Sequence, residues 1–187
     1  MWGAGRLATI GPLWNAPGMT GTDLAATWAA LRSAAPLVHA MTGAVSATLT
    51  ANVLLAAGAA PVLAEAEAEA EVEALAAGAV LLNLGTLTPA RAAATTRAAE
   101  AAARAGRPWV LDPVGAGAVP GRLETARRLL AHRPALVKGN ASEIIALAGH
   151  GAGGRGVDST ATADQALPAA LALALARDRG AAVAVTG

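Results

Sequence analysis

The 187-residue chain contains no cysteine, no phenylalanine and no tyrosine. Without cysteine the chain can form no disulfide, no thiolate metal site and no cysteine nucleophile. Without Phe and Tyr, and with four Trp in all, the core has to be built from Leu, Val, Ile and Ala. Small side chains of this kind let helices approach a sheet closely. Charge is scarce as well: 14% of residues are charged and the formal net charge is +1. The positive charges are scattered, densest at Arg104/Arg107 and Arg127/Arg128. No basic stripe exists to hold nucleic acid or an anionic membrane. The longest apolar run, LPAALALALA at 167–176, is about half of what a membrane span needs. The stretch after Arg6 is short and broken by Pro12, a poor signal peptide. These features lead to the expectation of a soluble, cytoplasmic protein, long enough for one domain with a sizeable core.

Other absences narrow the chemistry. No G-x-x-x-x-G-K-[ST] segment occurs, which excludes a Walker-type phosphate loop, and no G-x-S-x-G elbow occurs. His39, His132 and His150 have no metal-ligand spacing. GAGGRG at 151–156 has dinucleotide-loop spacing but follows a helix rather than a strand, so it reads as a loop.

What is present is an alternation. Residues 1–22 are rich in Gly and Pro without periodicity and read as a poorly ordered leader. Beyond them, in a single domain spanning 23–187, come LVHAM (37–41), PVLA (61–64), AVLLNL (79–84), PWVLD (108–112), ALVK (135–138) and AVAVT (182–186). Short continuous apolar runs suit strands buried on both faces, hence a parallel sheet. Helix-length segments lie between them at 46–57, 65–77, 88–105, 122–132, 140–148 and 163–179, with Gly58, Gly78, Gly106, Gly149 and Gly180 at or just past their ends. The expected fold is a three-layer α/β/α sandwich on a mostly parallel sheet. Ligands of such sheets bind outside the carboxyl ends of the strands. The residues to watch are therefore Thr42-Gly43, Gly85-Thr86, DPVGAG at 112–117, Gly139-Asn140 and Thr186-Gly187.

Two of these stretches carry rival readings. In LDPVGAGAVPGR (111–122) the glycines would let backbone N–H groups approach an anion, and Asp112 would hold Mg²⁺ through water. The same composition makes an ordinary tight turn. In KGNASEI (138–144) Asn140 and Glu143 have capping-box spacing. The alternative places Glu143 near a metal-bound water and Lys138 near a phosphate. Each reads first as local structure when taken alone. The acidic run EAEAEAEVEA at 65–74 reads as a solvated helix start, and His39 as a packed strand residue.

Taken in order, PLVHAMTGAVSATLTANVLLAAGAAPVLA (36–64), LLNLGTL (81–87), LDPVGAGAVPGRLETARRLL (111–130), KGNASEIIALAG (138–149), GVDS (156–159) and VAVTG (183–187) resemble the hydroxyethylthiazole kinase family over about residues 35–187. The combination of DPVGAG, GN-x-x-E and NLGTL is specific, whereas no single piece is. The resemblance implies a ribokinase-like fold and phosphorylation of a thiazole's hydroxyethyl group by ATP with Mg²⁺, in thiamine salvage. By the same resemblance Asp112 and Glu143 help to place Mg²⁺, Lys138 and Thr186 contact ATP, and Leu63 lines the thiazole pocket. A homotrimer with sites at subunit boundaries is implied too.

Two departures stand out. The family usually has Asn after the strand His, contacting the thiazole, where this chain has Gly43. A pocket that loses a polar partner loses discrimination. The family also continues past V-T-G into a Gly-Thr-Gly-Cys stretch, whose N–H groups form an anion hole for the transferring phosphate. That stretch is not among these residues, so the reading is of a family member lacking its C-terminal part. No catalytic residue is then assigned within the chain, and it is expected to be inactive alone. Another ribokinase-like small-molecule kinase, for instance one acting on a pyrimidine, and a degenerate fragment that binds nucleotide or a partner without turnover stay open as alternatives.

Overall fold

The computed structural model describes residues 7–9, 21–149, 162, 164, 166–167, 169–170 and 182–186. In chain order the elements are β1 (Leu7–Thr9), α1 (Gly21–Ala34), β2 (Leu37–Met41), α2 (Ala47–Ala57), β3 (Ala60–Val62), α3 (Glu67–Ala76) and β4 (Ala79–Asn83), followed by α4 (Pro89–Arg104), β5 (Trp109–Asp112), α5 (Pro120–Leu130), β6 (Leu136–Asn140), α6 (Ala141–Leu147) and β7 (Ala182–Thr186). The strands form one sheet in the order β1-β7-β6-β5-β4-β2-β3, and every pairing is parallel. This is the α/β architecture expected from the alternation of apolar runs and helices.

The order reverses once, and that reversal positions the site. From β2 the chain steps outward to the edge strand β3, then crosses back over β2 to reach β4, and continues toward β7. Right-handed crossovers in opposite directions put α2 and α3 on opposite faces. α4, α5 and α6 follow α3, each packed against its predecessor. The crevice at the carboxyl ends of β2 and β4 is the topological switch point of the sheet.

The core lies between the sheet and the α3–α6 layer. Val80, Leu82, Trp109, Leu111 and Val137 from the strands meet Ala70, Ala74, Ala94, Ala98, Ala101, Leu129 and Ile144 from the helices, all essentially inaccessible. Alanine makes the close α3–α4 approach possible. On the exposed side of that pair, Arg97 bonds Glu67 at 2.6 Å and Arg104 bonds Glu71 at 2.6 Å, so the acidic run is a solvated helix face. Trp109 donates its indole N–H to the His132 carbonyl at 3.2 Å, which satisfies the one polar atom of the largest core side chain.

The structure departs from the sequence expectation in several places. β4, β5 and β6 alternate buried and half-buried residues, so they are sealed on one face rather than both. The runs contain Asn83, Asp112 and Lys138, and these share the less covered face with Leu81, Val110 and Leu136. Within the expected leader, Leu7–Thr9 pairs with Val183–Val185 as a seventh strand. A three-residue segment is too short for any periodicity to mark it. α1 lies where no helix was expected: Leu24, Trp28 and Leu31 recur at helical spacing, but its side chains are exposed almost throughout. Gly58, Gly106 and Gly149 take left-handed conformations after helices, as C-terminal caps do. Gly78 does not, because α3 ends at Ala77 in extended backbone. Asp164, Ala166, Leu167, Ala169 and Ala170 are helical, within the expected helix at 163–179. GAGGRG, Gly180 and the leader residues 1–6 and 10–20 lie outside the described residues, while Gly21 and Thr22 open α1. No helix among the described residues is long and apolar enough to cross a membrane.

Candidate active site

Register brings the polar strand ends together. Asn83, last residue of β4, pairs with Asp112, last residue of β5. Asn140, last of β6, pairs with Thr186 of β7. Lys138, two residues earlier on β6, therefore projects to the same face as Asn140. The Asn83 amide donates from Nδ2 to Asp112 Oδ2 at 2.9 Å, and Lys138 Nζ lies 3.5 Å from the same oxygen. Both donors converge on Oδ2, which leaves Oδ1 without a partner among the described residues. Burial lifts the Asp112 carboxyl above the usual carboxylate range, against the opposing pull of the Lys138 ammonium and the Asn83 amide.

Glu143 sits in the first turn of α6 and completes the capping box. Its backbone N–H donates to Asn140 Oδ1 at 2.9 Å, and its Oε2 accepts from the Asn140 N–H at 2.8 Å. The other oxygen does something no capping box requires: Oε1 accepts the Gly115 N–H at 2.7 Å. One carboxylate thus starts a helix and latches the loop after β5. Burial raises its pKa and the Asp112 charge adds to this, while the N–H groups of Gly115 and Asn140 and the Lys138 charge oppose. The two carboxylates feel one another across the rim.

The DPVGAG loop differs from the anion cradle considered from sequence. The Val114 N–H turns to the Asp112 carbonyl, Ala116 to Pro113, and both Ala118 and Val119 to Gly115. Arg122 ties down the Val114 carbonyl at 3.2 Å. With the Gly115 N–H held by Glu143, most of the loop's donors are spent on the loop itself. Gly115 needs its glycine for a left-handed backbone, at φ 74°. It serves the turn, and its N–H serves the latch.

On the other side of the crevice, the loops after β2 and β4 touch. Asn83 Oδ1 accepts the Gly85 N–H at 2.9 Å and the Gly43 N–H at 3.3 Å. A Cβ on Gly43 would fall 3.3 Å from the Gly85 backbone, so glycine at 43 permits a backbone-to-backbone closure. Thr86 follows in a left-handed conformation at φ 51°, unusual for a β-branched residue and found at constrained sites. Its Oγ1 accepts the Ala44 N–H at 3.3 Å. Arg91, buried on the first turn of α4, donates from Nη2 to the Thr42 carbonyl at 2.9 Å and lies 3.4 Å from Glu65. His39 is fully buried, as expected, with Nε2 2.9 Å from the Ala64 carbonyl. Leu63, just after β3 and directly before the anchored Ala64 and Glu65, remains partly exposed.

Of the residues singled out from sequence, Asp112, Glu143 and Lys138 form one cluster, and Thr186 stands beside Asn140 on the same rim. Leu63 lies toward the β3 edge, apart from them. Sequence reasoning missed Asn83 and Arg91. A polar residue closing the apolar run AVLLN at a strand's carboxyl end was a readable signal for the first. Arg91, in a polar helix start, offered none.

A sequence model of the hydroxyethylthiazole kinase family matches residues 28–187. The chain is 53% identical over 164 residues to the hydroxyethylthiazole kinase of Kineococcus radiotolerans, covering 88% of this chain and 59% of that protein. It is 55% identical over 157 residues to the enzyme of that name from Klebsiella pneumoniae, covering 84% and 60%. The fold superposes on the hydroxyethylthiazole kinase protein structure from Pyrococcus horikoshii with a TM-score of 0.75 at 38% identity, covering 87% of this chain and 59% of that one. The chain thus spans about 60% of the length of the curated relatives it matches. With the strand order, the rim and these matches in agreement, the chain belongs to the hydroxyethylthiazole kinase family.

Proposed function

We propose that the rim binds ATP with Mg²⁺ and the alcohol 4-methyl-5-(2-hydroxyethyl)thiazole, and that its reaction is transfer of the γ-phosphoryl group to the hydroxyl, as in thiamine salvage. The observation that carries this reading is the Asp112–Lys138–Glu143 cluster at adjoining strand ends, beside the topological switch point. Among the described residues no group of three or more His, Cys, Asp and Glu is placed to hold a metal. Magnesium in phosphoryl-transfer sites needs only one or two carboxylates, because waters and phosphate oxygens complete its shell. Asp112 fits that demand through its unengaged Oδ1. Glu143 fits as an organiser of the loop and of metal-bound water, since backbone N–H groups occupy both its oxygens. Bound Mg²⁺ would supply charge neutralisation for the transferring group.

In this scheme Lys138 meets phosphate oxygens from the β6 side, and Thr186 contacts the nucleotide from the end of β7. Leu63, held in place by its anchored neighbours, forms an apolar wall of the thiazole pocket. Phosphoryl transfer needs positioning and fixed charge more than covalent chemistry, and this rim offers both. We assign residues 23–187 to the N-terminal portion of one kinase domain, working in the cytoplasm where ATP is supplied. A homotrimer completes the proposal: the apolar helix α2 has no buried residue, and Val45 just before it is 99% exposed. Such a face calls for a partner.

Titration calorimetry of the chain with the thiazole alcohol in the presence of MgATP tests the substrate assignment, with a hydroxymethylpyrimidine as competitor. Preference for the thiazole is expected, and preference for the pyrimidine would move the protein to another branch of ribokinase-like kinases.

A further inference from the structure

We infer that Asn83 is the positioning residue that locks the two loops of the switch-point crevice together and aims Asp112. The metal and alcohol roles it serves rest on the function proposed above. The lock itself rests on geometry alone.

Asn83 stands at the junction of everything the crevice brings together. Its Oδ1 collects two backbone donors from different loops, the Gly43 N–H after β2 and the Gly85 N–H after β4. Its Nδ2 donates to the carboxylate at the end of β5. A primary amide is the one small side chain that offers a two-acceptor oxygen and a donor from the same rigid group. Asp and Leu are both close to Asn in size, but Asp lacks the donor and Leu lacks both functions. The space is cut to the residue: a Cβ on Gly85 would fall 2.8 Å from Asn83 Oδ1 and 3.2 Å from the Gly43 Cα. The two glycine backbones therefore close over the amide, and no side chain can enter between them.

The consequence is directional. The donor from Asn83 and the ammonium of Lys138 hold Asp112 Oδ2, which leaves Oδ1 as the oxygen without a partner among the described residues. The same amide fixes the Gly43 and Gly85 backbones, next to which Thr86 is held in its left-handed conformation. Movement of either loop on binding a small alcohol must alter the bonds at Oδ1, and through the planar amide the donor to Asp112. Asn83 touches neither reacting atom in this scheme and acts through the loops and the carboxylate.

Two variants separate the halves of the role. Asn83→Asp keeps an oxygen for the two glycine N–H groups and loses the donor to Asp112. Asn83→Ala loses everything. In amide hydrogen exchange of the unliganded chain, Gly43 and Gly85 are expected to exchange about fivefold to tenfold faster in Asn83→Ala, the effect of losing one hydrogen bond from local opening. Near-wild-type protection is expected in Asn83→Asp, with core amides such as Leu111 unchanged in both. Mn²⁺ binding by Asn83→Ala, followed by the spin-resonance signal of free metal, is expected to weaken severalfold. Unchanged glycine protection in Asn83→Ala, or equal loss in Asn83→Asp, would overturn the lock. Unchanged Mn²⁺ affinity in Asn83→Ala would overturn the aiming of Asp112. If Asn83→Ala does not fold, the protection of Gly43 and Gly85 in Asn83→Asp decides alone. Failure of the kinase reading would leave the exchange result untouched, so the two are distinguishable.

Discussion

Removing the Glu143 carboxylate should cost far more than removing the cap it shares with Asn140. In Glu143→Ala the N–H groups of Gly115 and Asn140 both lose their acceptor, at contacts of 2.7 and 2.8 Å. Glu143 is 5% exposed, so water reaches these donors poorly, and each orphaned group costs about 1–3 kcal/mol. Relief of a charge that burial disfavours offsets part of this, and a net loss of about 2–4 kcal/mol remains. Asn140→Ala loses the acceptor for the Glu143 N–H, for which about 1 kcal/mol is usual. Against a typical stability of about 5–15 kcal/mol, the two are separable by urea denaturation monitored by far-UV circular dichroism. The midpoint should fall two to four times further for Glu143→Ala than for Asn140→Ala (about 2–4 against about 1 kcal/mol), with the slope unchanged. Glu143→Gln should lie between, because its amide still offers one oxygen. Equal midpoints for the two alanine variants would show that the latch to Gly115 contributes nothing.

Other outcomes follow from the same geometry. The unfolded chain releases the Asp112 proton near 3.8, and the folded chain releases it at higher pH. Between those points the native state holds the extra proton, so this group's contribution falls as pH rises, by at most about 1.4 kcal/mol per pH unit. The stability of wild type relative to Asp112→Asn should therefore decline from about pH 4 upward through the raised pKa. A flat or rising difference in thermal melts would refute the burial-driven shift. Gly85→Ala should destabilise by about 1–3 kcal/mol, since the new methyl would displace Asn83 Oδ1. Gly121→Ala, in the first turn of α5 with nothing within 4 Å of the added carbon, should instead stabilise by about 0.4–1 kcal/mol. Equal effects in differential scanning calorimetry would count against the tight closure at Gly85.

Much of this architecture is legible in the sequence because buried parallel strands and their crossover helices write themselves as apolar runs with glycine punctuation. The five central runs at 37–41, 61–64, 79–84, 108–112 and 135–138 appear as β2–β6 within a residue or two. What composition hides is which face of a run is sealed. Leu81 and Leu82 look alike in sequence, yet one is half-buried and the other inaccessible, because helices cover one side of the central strands more fully. The capping box was legible because it is local. The bond from Glu143 to Gly115 was not, since it joins residues 28 apart and depends on β5 and β6 being neighbours. Asn83 escaped for a similar reason: its partners Gly43, just past β2, and Asp112, at the end of β5, come from the two neighbours of β4, and only the strand order reveals them.

The central claim is that the Asp112–Lys138 rim holds a metal-bound nucleotide. Calorimetric titration of the chain with ATP, with and without Mg²⁺ and in wild type and Asp112→Asn, tests it most directly. Saturable binding that requires Mg²⁺ and is abolished in Asp112→Asn, with circular dichroism unchanged, is the predicted result. Binding that ignores Mg²⁺ or is indifferent to Asp112, or no binding in the wild type, would contradict it.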